Sequence, residues 1–213
     1  MSVWDTIYKN FQKGGPAWAS LRDGLHPDFV GFVEHTDFEI KNVLDIGCGD
    51  GKYLLYLKEK GFKITGLDSS PTAIRMAQNA VKQSGQWIVA DMFNFPYPRG
   101  RYDLVISHAA LHHGLKAQVI SLIEKIHGLL IESGKMFISV PSDDCIKNWA
   151  MLTGHETLPD GTCIPVQGPE KGLPHSFFSK PELESLFTNK YDNLLIRLDD
   201  RDGRWIITGQ KRS

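Results

Sequence analysis

Three glycines, Gly47, Gly49 and Gly51, alternate with Cys48 and Asp50 directly after the apolar run Val43 to Ile46, and Asp45 lies inside that run. Glycine reaches the positive φ that a tight strand-to-helix turn demands, and without a side chain it lets a ligand press against the main chain. Asp68 follows Gly66 and Leu67. It stands roughly 20 residues past the glycines, where an acidic side chain accepts hydrogen bonds from both ribose hydroxyls. Strand, glycine turn and acidic strand tip together describe a nucleoside pocket. A nicotinamide dinucleotide is the first competitor. Its fingerprint is G-x-G-x-x-G, with a pyrophosphate on the next helix N-terminus. This chain reads G-x-G-x-G, and Asp45 and Asp50 would repel a pyrophosphate.

The same carboxylates suit a nucleoside that carries ammonium and sulfonium charges, and S-adenosylmethionine (SAM) has both. With VLDIGCGDG at residues 43–51 and the acidic Asp68 after it, the sequence resembles the class I (Rossmann-like) SAM-dependent methyltransferases. That resemblance implies that Asp45 engages the methionine part of SAM, directly or through water, and that Gly47 and Gly49 form the turn beneath it. Asp68 and Ser69 then belong to the ribose end. It assigns Asp91, followed by Met92, to the adenine. A carboxylate there accepts from the exocyclic amine, which can only donate usefully. Ser107 and His108, at the end of the fourth strand, would hold the methionine amine through a backbone carbonyl and face the methyl acceptor. Each assignment has a local structural alternative: Asp45 capping the glycine turn, Asp68 leading into a helix, and Asp91 capping Phe93 and Asn94.

His108, His112 and His113 are the most chemically suggestive cluster, because imidazole acts as a base near neutral pH or binds metal. No carboxylate or cysteine ligand accompanies them in the local sequence, so no metal is expected. His108 stands as a candidate catalytic residue on the acceptor side, and His113 as a helix-start or packing residue. His175, shortly before Ser179-Lys180-Pro181-Glu182-Leu183, resembles a recurrent element of small-molecule methyltransferases and is the second catalytic candidate.

The expected reaction is in-line transfer of a methyl group to an oxygen, nitrogen or sulfur, with S-adenosylhomocysteine as the other product. A sulfonium is already activated, so the protein aligns the partners and excludes water. The Asn/Asp-Pro-Pro-aromatic motif of the families that methylate adenine N6 or glutamine N5 does not match Ser107-His108-Ala109-Ala110. The paired-glutamate loop of protein arginine methyltransferases is absent too. A small-molecule acceptor is therefore expected. An RNA acceptor, a non-catalytic SAM-binding regulatory module and a nicotinamide-dependent oxidoreductase remain as alternatives.

Short apolar runs alternate with amphipathic segments over residues 43–140, the pattern of a parallel sheet with crossover helices. Strands are expected near 43–47, 63–67, 86–90, 103–107 and 135–140, with helices near 51–60, 71–83 and 116–131. A Gly- and Pro-rich insert spans 141–178 and is expected to select the substrate. A helix over 180–188 and strands near 193–199 and 204–210 close the chain. The fold class is α/β: a Rossmann-like doubly wound sheet of seven strands, mostly parallel. An antiparallel last strand is what the resemblance adds. One domain is expected, made of N-terminal helices over the cofactor (1–40, with Trp4, Tyr8, Phe11, Trp18, Phe29 and Phe32), a SAM-binding core (41–140), the insert (141–178) and a C-terminal helix and hairpin (179–213).

At 213 residues, 41% hydrophobic and 23% charged, the chain can bury one sizeable core and is not of disordered composition. A net charge of -1 without a long basic block argues against a nucleic-acid surface, although folding could still assemble a local patch. Three scattered cysteines form neither a disulfide framework nor a metal motif, and no signal or membrane-spanning segment is evident. A cytoplasmic location and no membrane partner are expected.

Overall fold

The computed structural model describes residues 2–15, 24–145 and 154–212. In chain order the elements are α1 (Val3–Gln12), α2 (Pro27–Glu34), β1 (Asn42–Ile46), α3 (Lys52–Glu59), β2 (Lys63–Asp68), α4 (Pro71–Ala80), β3 (Gln86–Val89), β4 (Tyr102–Ser107), α5 (Lys116–Leu129) and β5 (Leu130–Pro141). A 3₁₀ turn (Asp143–Cys145), β6 (His155–Thr157), β7 (Cys163–Pro165), α6 (Lys180–Phe187), β8 (Tyr191–Asp199) and β9 (Arg204–Lys211) follow.

Seven strands form one sheet in the order β3-β2-β1-β4-β5-β9-β8. β9 runs antiparallel to both of its neighbours, β5 and β8, so the other six strands share a direction. From β1 the chain winds outward to β2 and β3, then returns to place β4 on the other side of β1. This reversal leaves a crevice beyond the carboxyl ends of β1 and β4, where open α/β sheets bind ligands.

Alternation along each strand divides the core between the two faces of the sheet. Leu44, Ile46, Val105, Met136 and Ile138 pack with Leu122, Ile126, Leu183 and Phe187 on the side of α5 and α6. Val43, Leu104, Ile106 and Phe137 pack with Phe29, Leu54 and Leu57 on the side of α2 and α3. Both layers are almost fully buried. Burial of each such side chain stabilises the fold by roughly 1.5–3 kcal/mol. Local signals set the helix starts. Ser70 Oγ accepts from Ala73 N–H ahead of Pro71, and Ser179 and Glu182 form a capping box at α6.

Two expectations change in detail. β5 starts at Leu130, directly after α5, because Ser133 takes a positive φ of 61° and the β4–β5 register shifts between Tyr102 and Leu104. The insert carries an antiparallel hairpin, β6–β7, that its Gly- and Pro-rich composition hid. Its residues 146–153, and Trp18 of the N-terminal segment, lie outside the described residues.

Candidate active site

A cavity of about 1110 Å³ opens over the crevice between β1 and β4. Single-ligand cavities usually hold ~300–1,000 Å³. The space is therefore enough for a nucleoside and a second molecule. Gly47, Gly49 and Gly51 all have positive φ, at 76°, 54° and 82°, as the sharp turn requires. The turn is stitched to β2, because Gly47 N–H and Cys48 N–H both donate to Leu67 O at 2.8 and 2.9 Å. A Cβ on Gly49 would lie 2.5 Å from Tyr8 Oη, and one on Gly47 would lie 2.3 Å from Ala110 Cβ. Close packing of α1 and of the β4 loop thus needs these glycines.

Asp45 and Asp68 project into this cavity from β1 and β2 and are 3% and 8% exposed. Asp68 Oδ2 accepts from Gly49 N–H at 3.0 Å and Oδ1 from Ser70 N–H at 2.8 Å, which fixes the carboxylate at the strand tip. Burial raises its pKa to about 6, against the pull of the Ser70, Gly49 and Ser69 amides. Burial, then the charges of Asp68 and Asp50, holds the Asp45 carboxyl well above the usual range. No salt bridge reaches Asp45, Asp50 or Asp68 among the described residues. Lys52, Arg201 and Arg204 line the same cavity, and buried carboxylates that make no salt bridge among the described residues still favour a cationic ligand.

Ser69, Asp91 and Met92 line the same cavity. Asp91 is exposed at the rim. Its Oδ1 accepts from Phe93 N–H at 2.9 Å and its Oδ2 from Asn94 Nδ2 at 2.7 Å, so it caps its own loop while each oxygen keeps a second lone pair. Ser107 stands apart. It is fully buried, does not line the cavity, and donates from Oγ to Ile46 O at 2.7 Å, joining the ends of β4 and β1. The wall at the end of β4 is instead made by His108, Ala109 and Ala110.

Ser2, Val3, Trp4 and Tyr8 of the N-terminal segment cover one side of the cavity. Asp5 fastens this cover. Its Oδ1 accepts from Ser70 Oγ and Thr72 N–H, both at 3.0 Å, at the amino end of α4, and Lys9 pairs with its other oxygen at 2.8 Å. The Lys9 contact holds the Asp5 carboxyl well below the usual range. Nothing local in the sequence pairs Asp5 with Ser70.

A second polar group closes the far side. Asp28 N–H donates to His26 Nδ1 at 3.2 Å, and His26 Nε2 lies 2.8 Å from Asp199 Oδ2 and 2.7 Å from a terminal nitrogen of Arg201. Arg201 clasps the same carboxylate with Nε and a terminal nitrogen, and Tyr53 Oη accepts from His26 N–H. His108 lines the cavity beside this group, its ring centroid 5.5 Å from that of His26 and 5.1 Å from that of Tyr53. Ser139 Oγ accepts from Ala109 N–H at 2.9 Å and lies 2.9 Å from His108 Nδ1. Burial drives the His108 pKa down to about 3. The ring is a neutral hydrogen-bond donor rather than a base tuned to neutral pH.

His175 is fully buried and does not line the cavity. It stands behind the wall formed by His113 and Glu170, with Nε2 2.8 Å from Glu170 Oε2 and its ring centroid 4.9 Å from that of His113. His112, also fully buried, lies against His113 with ring centroids 3.8 Å apart and planes tilted by 40°. Asp5, His26, Tyr53, Glu170, Asp199 and Arg201 escaped the sequence reading, because each acquires its place through contacts distant in the chain.

Residues 43–134 match a family described as a methyltransferase domain. The chain is similar to an uncharacterised methyltransferase of Synechocystis, with 36% identity over 96 residues that cover 44% of each chain. It is also similar to a 2-heptyl-1-hydroxyquinolin-4(1H)-one methyltransferase of Mycobacteroides abscessus, with 39% identity over 75 residues, 33% of each chain. The matched stretch thus spans less than half the length of these relatives. A solved 1,6-didemethyltoxoflavin-N1-methyltransferase of Burkholderia thailandensis, with its substrate and S-adenosylhomocysteine bound, shares the fold at TM-score 0.67 and 19% identity, over 99% of this chain and 88% of that one. No helix among the described residues is long and apolar enough to cross a membrane.

Proposed function

Taking residues 43–134 as a class I methyltransferase domain, we propose that the protein transfers the methyl group of SAM to an oxygen, nitrogen or sulfur of a small molecule. The observation that carries this reading is the pair of buried carboxylates, Asp45 and Asp68, which face one cavity over the sheet crevice and make no salt bridge among the described residues. Asp68 accepts from the ribose hydroxyls, its orientation already set by Gly49 and Ser70. Asp45 attracts the ammonium of the methionine moiety, and Met92 with the rim carboxylate of Asp91 flanks the adenine. Bound there, SAM supplies a methyl group on an activated sulfonium leaving group.

The remaining space, between Trp4, Tyr53, His108, His113, Leu173 and Pro174, receives the acceptor. Its walls are aromatic and apolar with a few fixed polar groups, the composition of a small-molecule site. The quinolone and toxoflavin precursors named for two similar proteins are small heteroaromatic molecules and support this class. His108 orients the acceptor with its ring N–H. The cover made by α1 excludes water, which leaves alignment as the main catalytic contribution.

The test is thermal and calorimetric. Micromolar S-adenosylhomocysteine raises the melting temperature while NAD does not, and an acceptor library screened with SAM releases S-adenosylhomocysteine. Tighter binding of NAD would overturn the reading. Binding of SAM without turnover on any acceptor would instead favour a regulatory module.

A further inference from the structure

At the edge of the acceptor space, one ligating atom each from His113, Glu170 and His175 converge, all within 4.8 Å of one another. We propose that these three side chains form a binding site for a divalent transition-metal ion of the zinc type, with its remaining coordination positions open toward the cavity.

The hydrogen bonds of the two rings prepare them as ligands. His113 Nδ1 lies 3.1 Å from Ala110 O, and His175 Nδ1 lies 2.9 Å from Leu173 O. A carbonyl can only accept, so each ring carries a proton on Nδ1, and Nε2 is the atom through which each would take a metal. His175 Nε2 lies 2.8 Å from Glu170 Oε2, a contact that either a proton or a metal ion can bridge. A proton on His175 would serve that pair alone, whereas a metal ion also uses the donor atom of His113. Glu170 is 4% exposed and His175 0%, so the carboxylate is desolvated and gains from a divalent charge.

The supporting shell is rigid on both sides. Ser176 N–H donates to His112 O at 2.8 Å and Ser176 Oγ to Gly114 O at 2.7 Å, bracketing His113 with the loop that carries His175. His175 in turn exchanges both backbone hydrogen bonds with Cys163, at 2.7 and 2.9 Å. Two imidazoles and one carboxylate form the three-ligand set of catalytic zinc and non-haem iron sites, whereas magnesium and calcium prefer oxygen ligands alone. The local sequence hid this site because its carboxylate comes from the insert.

His113 and Glu170 line the cavity, so an acceptor hydroxyl or thiol can reach the ion, coordinate it and release its proton to solvent more readily. This role rests on the methyl-transfer reading. The site itself does not.

The experiment titrates chelator-stripped, full-length protein with Zn²⁺ and Co²⁺ and measures S-adenosylhomocysteine binding in parallel. One ion per chain is expected, with cobalt d–d bands and no thiolate charge-transfer band, which excludes the three cysteines as ligands. Glu170→Gln keeps the side-chain shape and should weaken zinc by about a hundredfold or more, with S-adenosylhomocysteine affinity retained. His113→Ala should weaken zinc similarly. Failure of the nucleoside-competent wild type to bind zinc, zinc affinity unmoved in both variants, or a thiolate band would overturn the site. Zinc binding as expected without any S-adenosylhomocysteine binding would sustain the site and sink the methyl-donor reading.

Discussion

Gly49 N–H donates to Asp68 Oδ2 across 3.0 Å, which locks the glycine turn to the acidic tip of the neighbouring strand. The carboxylate proposed to bind the ribose is thereby oriented before any ligand arrives, and its burial raises its pKa to about 6. Ribose hydroxyls donate to the ionised form, so binding must weaken as pH falls through that value. S-adenosylhomocysteine affinity at pH 5 should be about tenfold below that at pH 7.5. For the free protein the sign is opposite. The folded pKa lies above the unfolded value, so this group costs stability as pH rises from about 4 to 6, and the cost persists above. Calorimetric affinities across pH 5–8 check the first statement, and a flat profile would contradict it.

Gly49 also determines how closely α1 can approach. Alanine there meets a left-handed backbone, costing about 1–2 kcal/mol, and a contact with Tyr8 Oη. Gly49→Ala should lower both stability and nucleoside affinity, and Tyr8→Phe in the same chain should restore part of each by removing the hydroxyl. Strict additivity in the double-mutant cycle would deny the contact.

Asp5 holds the N-terminal cover through two hydrogen bonds to the start of α4. Asp5→Ala leaves buried donors unsatisfied and should destabilise the protein by roughly 1–3 kcal/mol. Faster hydrogen exchange across α1, with a weaker grip on S-adenosylhomocysteine, is the expected signature. Unchanged exchange would show that packing alone holds the helix.

His108 is kept neutral by burial, with its pKa lowered to about 3. Its folded pKa lies below the unfolded value, so it contributes to stability loss on acidification below about pH 6.5. Nitrogen NMR should show His108 neutral and not titrating between pH 5 and 8. A titration midpoint in that window would restore it as a general-base candidate.

The strands and helices of residues 43–140 were legible because their signals are local: apolar runs, the glycine turn, and Ser70-Pro71 at a helix start. Asp45 and Asp68 were placed by the same logic, since a residue at the end of a parallel strand lies at the crevice whatever surrounds it. Ser107 shows the limit. Its immediate neighbour His108 forms the cavity wall, while period-two alternation turns the Ser107 side chain into the sheet junction, where Ile46 O takes its hydroxyl. The Asp5–Ser70, His26–Asp199 and His113–Glu170 groupings were not legible. Each joins segments far apart in sequence, and only packing decides which meet.

The central claim is that Asp68 binds the ribose of a SAM-type cofactor, and calorimetry of S-adenosylhomocysteine with wild type and Asp68→Ala tests it most directly. Loss of two charge-assisted hydrogen bonds at a desolvated site should weaken binding by about 1.5–3 kcal/mol, roughly ten- to a hundredfold. An unchanged dissociation constant in a folded variant would contradict the account.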